Sequence, residues 1–236
     1  MESKSGMRLA IIVPVLDEAA QIESCLTALA ELRQRGASVI VVDGGSRDAT
    51  VRLAAALCDR VIGAPRGRAL QMNAGARCEE ARGADVLLFL HVDVRLPPEA
   101  DRLIFRALSN RQTCWGRFDV KLQGRSPGLG LVGTMMNLRS RATGICTGDQ
   151  ALFVEQGAFL ALEGFAPIAL MEDIEFCRRA RRLSAPIALR PPVIVSARRW
   201  DQAGLVRTVL GMWWLRLAYF LGADPQQLAR RYRNAR

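Results

Sequence analysis

The stretch LLFLHVDVRLPP, residues 87–98, opens as an unbroken apolar run and turns polar at His91 and Asp93, the first being the only histidine of the chain. Apolar residues with no polar alternation predict a strand covered on both faces, as in the parallel sheet of an α/β protein. His91 and Asp93 then fall at the carboxyl end of that strand, the edge at which open α/β sheets bind ligands. If the chain stays extended, side chains 91 and 93 share one side, and an imidazole and a carboxylate converge on one cation. The same residues also suit a turn-forming Asp and a hydrogen-bonded His that close the strand ahead of Pro97 and Pro98.

Working outward, the first half alternates strand-like and helix-like segments. RLAIIVPV (8–15), SVIVVD (38–43), DRVIGA (59–64) and DVLLFLHVD (85–93) read as strands. Between them, EAAQIESCLTALAELRQRG places Ile22, Leu26, Leu29 and Leu32 at helical spacing and stops at Gly36. SRDATVRLAAALC predicts a helix capped by Ser46 or Asp48, and GRALQMNAGARCEEARG one that runs to Gly83. Such βα units predict a parallel, doubly wound sheet with right-handed crossovers. After Pro98 the rhythm changes to a helix near 98–109, an antiparallel strand at 114–122, a Gly-rich loop and an apolar helix near 129–140. A helix over 172–183, a strand in PIALRPPVIVSA and helices from about 203 complete a mixed, mainly parallel α/β sheet flanked by helices, with helices at the C-terminus.

At 236 residues, half of them hydrophobic, the chain is expected to form one domain with a substantial core. It divides into a first half over residues 8–97, a second half over 98–200 and basic C-terminal helices over 201–236. Six cysteines without a C-x-x-C pair read as reduced thiols, and the short apolar segment near the N-terminus fits neither a signal peptide nor a span, so a cytoplasmic protein is expected. The net charge of +10 is uneven: residues 178–236 carry 13 arginines against Asp201 and Asp224. Such a surface attracts anionic lipid, nucleic acid or a phosphorylated substrate, and nucleic acid is disfavoured because no aromatic-interleaved basic motif or helix-turn-helix accompanies it. Within LVRTVLGMWWLRLAYFLG (205–222), Arg207 and Arg216 fall on opposite sides of an ideal helix. That predicts packing against the domain or, as a homodimer, against another subunit, ahead of peripheral contact with the inner membrane face.

The second strand ends in VVDGGSRDAT (41–50). Asp43 can accept from a base N–H or a ribose hydroxyl, the glycines, Gly45 among them, admit a close backbone approach, and the next helix start offers amides to phosphate oxygens. Neither a Walker loop nor G-x-G-x-x-G is present.

IIVPVLDEAAQIESCLTAL, VIVVDGGSRDAT, LLFLHVDVRLPP and MEDIEF, in this order, resemble the signatures of family-2 glycosyltransferases with the GT-A fold. More narrowly, GRALQMNAGA, TGDQALFV and LMEDIEFCRR are similar to a small bacterial subfamily of arsenosugar-biosynthesis-type glycosyltransferases. The resemblance implies a nucleotide-diphosphate sugar donor, with 8–97 as the nucleotide-sugar-binding half and 98–200 as the acceptor and catalytic half, Pro14 and Glu18 flanking the base, Asp43 reading it, and Arg68 and Asn73 beside the nucleotide. It implies an Asp-x-Asp site for Mg²⁺ or Mn²⁺, here with His91 in place of the first Asp and Asp93 matching the second; imidazole suits Mn²⁺ better than Mg²⁺. Glu172 and Asp173 match a Glu-Asp pair whose Asp is the general base of an inverting transfer. Asp149 and Gln150 would bond the acceptor, a small molecule or a lipid-linked one. In SARRW (196–200), Arg199 and Trp200 match the Q-x-x-R-W motif of processive members and Ser196 replaces its Gln, which favours a single transfer. The competing readings are a sugar-phosphate nucleotidyltransferase, against which VPVLDEA stands where a GxGTRxxP-like loop is expected, and a catalytically silent nucleotide-sugar-binding protein, which has no need of Glu172 and Asp173.

Overall fold

The computed structural model describes residues 6–110, 112–198, 201 and 204–234. Four strands, β1 (Leu9–Val15), β2 (Ser38–Asp43), β3 (Arg60–Gly63) and β4 (Val86–Phe89), form a parallel block in the order β3-β2-β1-β4. The strand order reverses at β1, between β2 and β4, which opens a crevice at the carboxyl ends of these strands. Beyond β4 the sheet becomes mixed. β7 (Phe153–Glu155) runs antiparallel to both β4 and β6 (Trp115–Gln123), β6 pairs in parallel with β8 (Ile187–Ser196), and β5 (Val94–Arg95) closes the edge against β8. The parallel partner of β6 is thus β8, and the antiparallel one is β7. Between Phe118 and Val120 the β6–β8 register slips, where β8 carries Pro191 and Pro192. Proline has no N–H to give to the ladder, so a bulge is the natural accommodation.

The continuous apolar strands are explained by two cores, one on each face. Ile11, Val13, Val41 and Leu88 point into one with Ile22, Leu26 and Ile104, while Ile12, Ile40, Val42, Leu87 and Phe89 point into the other with Met72, Phe159 and Phe176. Helices α1 (Ala19–Thr27), α2 (Ala30–Gln34), α3 (Thr50–Ala55) and α6 (Ala100–Leu108) cover the first face; α4 (Arg68–Arg77), α5 (Glu79–Arg82), α8 (Gln156–Ala161) and α9 (Glu172–Ala180) cover the second. Helix α4 lies so close to the sheet that a Cβ on Gly75 would come within 2.6 Å of Ile12 Cγ2 and 2.9 Å of Val42 Cγ2.

Three expected helices differ in detail. The single helix after β1 is broken at Ala28–Leu29, where Leu29 N–H donates to Leu26 C=O at 3.0 Å, and the turn leaves both Leu29 and Leu32 buried. The helix after β3 breaks at the extended Cys78, which ends α4 and begins α5. Helix α3 starts only at Thr50, with Asp48 accepting from Thr50 N–H at 2.9 Å. In the second half, α7 (Leu129–Thr143) packs on β6, and α10 (Leu205–Phe220) and α11 (Pro225–Asn234) follow β8. Buried Leu215 and Leu228 belong to the second-face core, so the C-terminal helices lie against the domain.

Candidate active site

Each parallel strand delivers one loop to the crevice, and side chains bind these loops together. After β1, Asp17 adopts φ 54°, its N–H donates to Ser46 Oγ at 2.9 Å, and its carboxylate accepts from Arg47 N–H at 2.7 Å. Glu18 N–H donates to Thr50 Oγ1 and Ala19 N–H to Asp48. The Glu18 carboxylate accepts from Gln21 Nε2 at 3.2 Å, and Pro14, half-buried in β1, pairs with Val42. Asp43 folds its own loop: its carboxylate accepts from the N–H groups of Gly45 at 3.0 Å and Ser46 at 3.1 Å. Gly45 has φ +93°, a conformation that glycine adopts without steric cost. Beneath the loops sits Gln71 of α4, whose Nε2 donates to the carbonyls of Val15 and Val42, both at 2.8 Å. This residue ties together the ends of β1 and β2, and the sequence reading passed over it.

The loop after β4 departs from expectation. The strand stops at Phe89 and a turn follows in which Val94 N–H donates to His91 C=O at 3.1 Å, so His91 and Asp93 do not sit on an extended chain. His91 faces Asp149, with 3.4 Å between Nδ1 and Oδ1. It approaches Gly148 so closely that a Cβ there would lie 2.3 Å from the imidazole Cε1. The field of Asp93 is felt instead by Cys25 of α1, whose thiol is pushed up to about 12 by burial and then by Asp93. Among the described residues no group of three or more His, Cys, Asp or Glu side chains comes together as a metal site.

On the acceptor side, Glu172 and Asp173 begin α9 behind Met171, which takes a left-handed conformation. Asp173 accepts from Gly148 N–H at 2.9 Å and from Ile174 N–H at 2.7 Å, which fixes its carboxylate beside the 148–150 turn. Glu172 is 5% exposed. Burial and then the charge of Asp173 raise its pKa against the opposing pull of Arg68 and His91. Arg68 opens α4; desolvation opposes its charge, but Glu172, Tyr232, Asp149 and Asp173 outweigh it and raise its pKa. Gln150 is fully buried and accepts from Thr147 N–H through Oε1 at 3.3 Å.

Asn73 ties α4 to a distant loop. Its amide donates to Phe165 C=O at 2.8 Å and accepts from Phe165 N–H at 2.9 Å, clamping a loop 92 residues away. Ser196 N–H donates to Asp93 C=O at 3.0 Å, so the end of β8 adjoins the Asp93 turn. Arg199 and Trp200 lie outside the described residues.

Solved structures share this architecture. The chain superposes on the mannosyltransferase PcManGT from Pyrobaculum calidifontis, solved with GDP-Man and Mn²⁺, with TM-score 0.61 and 20% identity over 94% of this chain and 67% of that one. For glucosyl-3-phosphoglycerate synthase from Mycobacterium tuberculosis, solved with Mn²⁺, UDP and phosphoglyceric acid, the values are 0.64 and 19% over 93% and 80%. For S. aureus TarS, solved with UDP-GlcNAc, they are 0.62 and 17% over 81% and 59%. Likeness at these identities establishes the GT-A fold. No curated protein matches the chain in sequence. The family model described as glycosyl transferase family 2 matches residues 10–152, more than half of the chain and all of the crevice from β1 to the 148–150 turn, and the chain belongs to that family.

Proposed function

We propose that this chain is a non-processive, inverting glycosyltransferase that moves a sugar from a nucleotide-diphosphate sugar to an acceptor hydroxyl. The observation that carries the reading is the fixed carboxylate of Asp173, set by two backbone N–H groups at the opening of α9, beside buried Glu172 and within the field of Arg68. Inversion requires one base and direct displacement. Asp173 accepts the proton of the acceptor hydroxyl while that oxygen bonds to the anomeric carbon, and the bond from that carbon to the diphosphate oxygen breaks, its electron pair leaving with the phosphate. Each Asp173 oxygen accepts one N–H, which leaves lone-pair capacity for the proton.

Pro14, Glu18, Asp43, Gly45 and Arg68 line the donor half, with Asn73 supporting it through the Phe165 loop. Asp149 and Gln150 border the acceptor. Of the expected metal pair, His91 is engaged with Asp149, so Asp93 is the remaining protein carboxylate. One carboxylate fits a cation whose shell is completed by phosphate oxygens and water. A Mn²⁺ or Mg²⁺ ion held by Asp93 would supply Lewis-acid charge to the departing diphosphate. Ser196 in place of Gln supports a single transfer.

The test is a comparison of two variants on whichever nucleotide sugar binds the protein best. Asp173→Asn is expected to keep donor affinity and lose at least about a hundredfold in turnover, the scale of a lost general base. Asp93→Ala is expected to lose the Mn²⁺-dependent part of nucleoside-diphosphate binding. Near-normal turnover in Asp173→Asn overturns the reading.

A further inference from the structure

Among the described residues, three buried side-chain nitrogens lack a hydrogen-bond partner: Arg139 Nη2, Arg216 Nη2 and Gln150 Nε2. All are donors, and they come from three separate elements, α7, α10 and the 148–150 turn. Long basic side chains ordinarily bury their stems and keep the charge in water. Here the two arginines are only half-buried as residues, yet each has a guanidinium nitrogen shut away from solvent. Desolvation opposes both charges, and the two repel one another; burial and then Arg216 push Arg139 down to about 10. A buried cation without a partner is costly, and orphaned buried donors call for an explanation in what binds them.

The surroundings say where the missing partner sits. Helices α7 and α10 approach one another at their starts, where a Cβ on Gly128 would lie 3.0 Å from Leu205, and farther along Arg139 feels the charge of Arg216. The chain after α7 is held to α9 by the contact of Cys146 Sγ with Cys177 Sγ at 3.4 Å, and the next turn bonds Asp173 through Gly148 N–H. Of the carboxylates, Asp173 acts most strongly on both arginines, followed for Arg216 by Asp149. These are residues of the acceptor side, not of the β1 and β2 loops.

We propose that Arg139, Arg216 and Gln150 form an anion-binding subsite for a phosphate or carboxylate group carried by the acceptor. Two guanidinium N–H groups and an amide N–H match an oxyanion, whose several lone pairs accept all three. The assignment to the acceptor rests on the reading of Asp173 as the base.

The test uses the full chain and soluble glycerol 3-phosphate as probe, titrated at constant ionic strength, with UDP plus Mn²⁺ titrated separately. Arg139→Gln and Arg216→Gln are each expected to weaken glycerol 3-phosphate binding by at least about tenfold, the scale of a charge-assisted hydrogen bond, and to leave UDP–Mn²⁺ affinity unchanged. Phosphatidylcholine vesicles doped with phosphatidic acid form a second arm. Binding to those vesicles that is lost in the same variants supports the subsite and assigns the anion to a lipid headgroup, whereas loss confined to glycerol 3-phosphate assigns it to a free acceptor. Thermal unfolding guards against misfolding. The ligand-free variants, relieved of one unpaired charge, are expected to melt no lower than the parent while losing the increment that glycerol 3-phosphate adds. Equal affinity for both phosphate probes in parent and variants overturns the proposal, and so does a parallel fall in UDP–Mn²⁺ affinity, which would assign the arginines to the donor diphosphate. Failure of the parent to bind either UDP or GDP with Mn²⁺ would count against the transferase reading itself and leave the phosphate comparison readable.

Discussion

At the scale of single residues, Glu172 and Asp173 show how adjacent carboxylates acquire different tasks. Both are acidic residues at a helix start, where the backbone amides favour negative charge. Asp173 accepts one N–H from its own helix start, Ile174, and one from Gly148 of the neighbouring turn, whereas Glu172 points into the protein, and burial with the neighbouring charge raises its pKa. Because the folded state holds this proton more tightly than the unfolded chain does, the stability that Glu172 contributes is complete below its unfolded pKa and is lost as pH rises through the folded one. Above the folded pKa the ionised side chain is a net cost. Glu172→Gln is therefore expected to raise the melting temperature at pH 7 relative to the parent and to show no such gain at pH 4. Equal differences at the two pH values would contradict this. The pair itself was legible in MEDIEF; which member turns inward was not, because that depends on the left-handed Met171 before it.

Among the elements, the carboxyl ends of β1 and β2 are joined from below by one side chain of α4. Gln71 satisfies the carbonyls of Val15 and Val42, and it lies 3.1 Å from where a Cβ on Gly44 would be, so loop and helix are fitted to one another. Gln71→Ala removes both hydrogen bonds while Val15 C=O keeps the Gly44 N–H at 2.9 Å, so the cost is about 0.5–1.5 kcal/mol for each lost bond. A loss of about 1–3 kcal/mol in denaturant unfolding is expected, together with weaker nucleoside-diphosphate binding, since Asp43 and Gly45 stand on the same loop. Stability within experimental error of the parent would show that the loop holds without it. Strands were readable as elements because burial on both faces leaves a run of apolar residues. Helix breaks at Ala28–Leu29 and Cys78 were not, because neither site carries a proline or glycine to announce them.

Across the whole molecule, the outer faces of α7 and α10 stand out. Leu131, Met135 and Leu138 on one, and Val206, Leu210, Trp213, Leu217 and Phe220 on the other, are exposed at spacings of three and four residues. Buried Leu215 holds α10 to the domain, and Arg231 of α11 lies 5.0 Å over the ring of Trp214. Among the described residues no helix is long and apolar enough to cross a membrane. We infer that these faces rest on an anionic lipid surface, because they are apolar and exposed and the sequence from 178 to 236 carries 13 arginines against two aspartates. Co-sedimentation with phosphatidylglycerol vesicles, absent with phosphatidylcholine alone, is the expected outcome. Leu210→Asp and Trp213→Asp are each expected to reduce it by roughly tenfold or more, given the apolar area removed. A stable dimer in analytical ultracentrifugation with no vesicle binding would assign the faces to a second copy instead.

The sequence by itself determined the alternation of strands and helices, the two-sided burial of the sheet and the positions of Asp43 and Glu172–Asp173 at element ends, because each is written in local periodicity and in the residues next to it. Tertiary structure alone decided who meets whom. His91 finds Asp149 across 58 residues of chain, Asn73 spends its amide on Phe165, and Arg139 comes beside Arg216 with buried nitrogens unanswered. Such meetings depend on where a strand stops, how a turn is closed and which helices run side by side. Those are long-range consequences of packing, which a side-chain period of two or 3.6 residues does not encode.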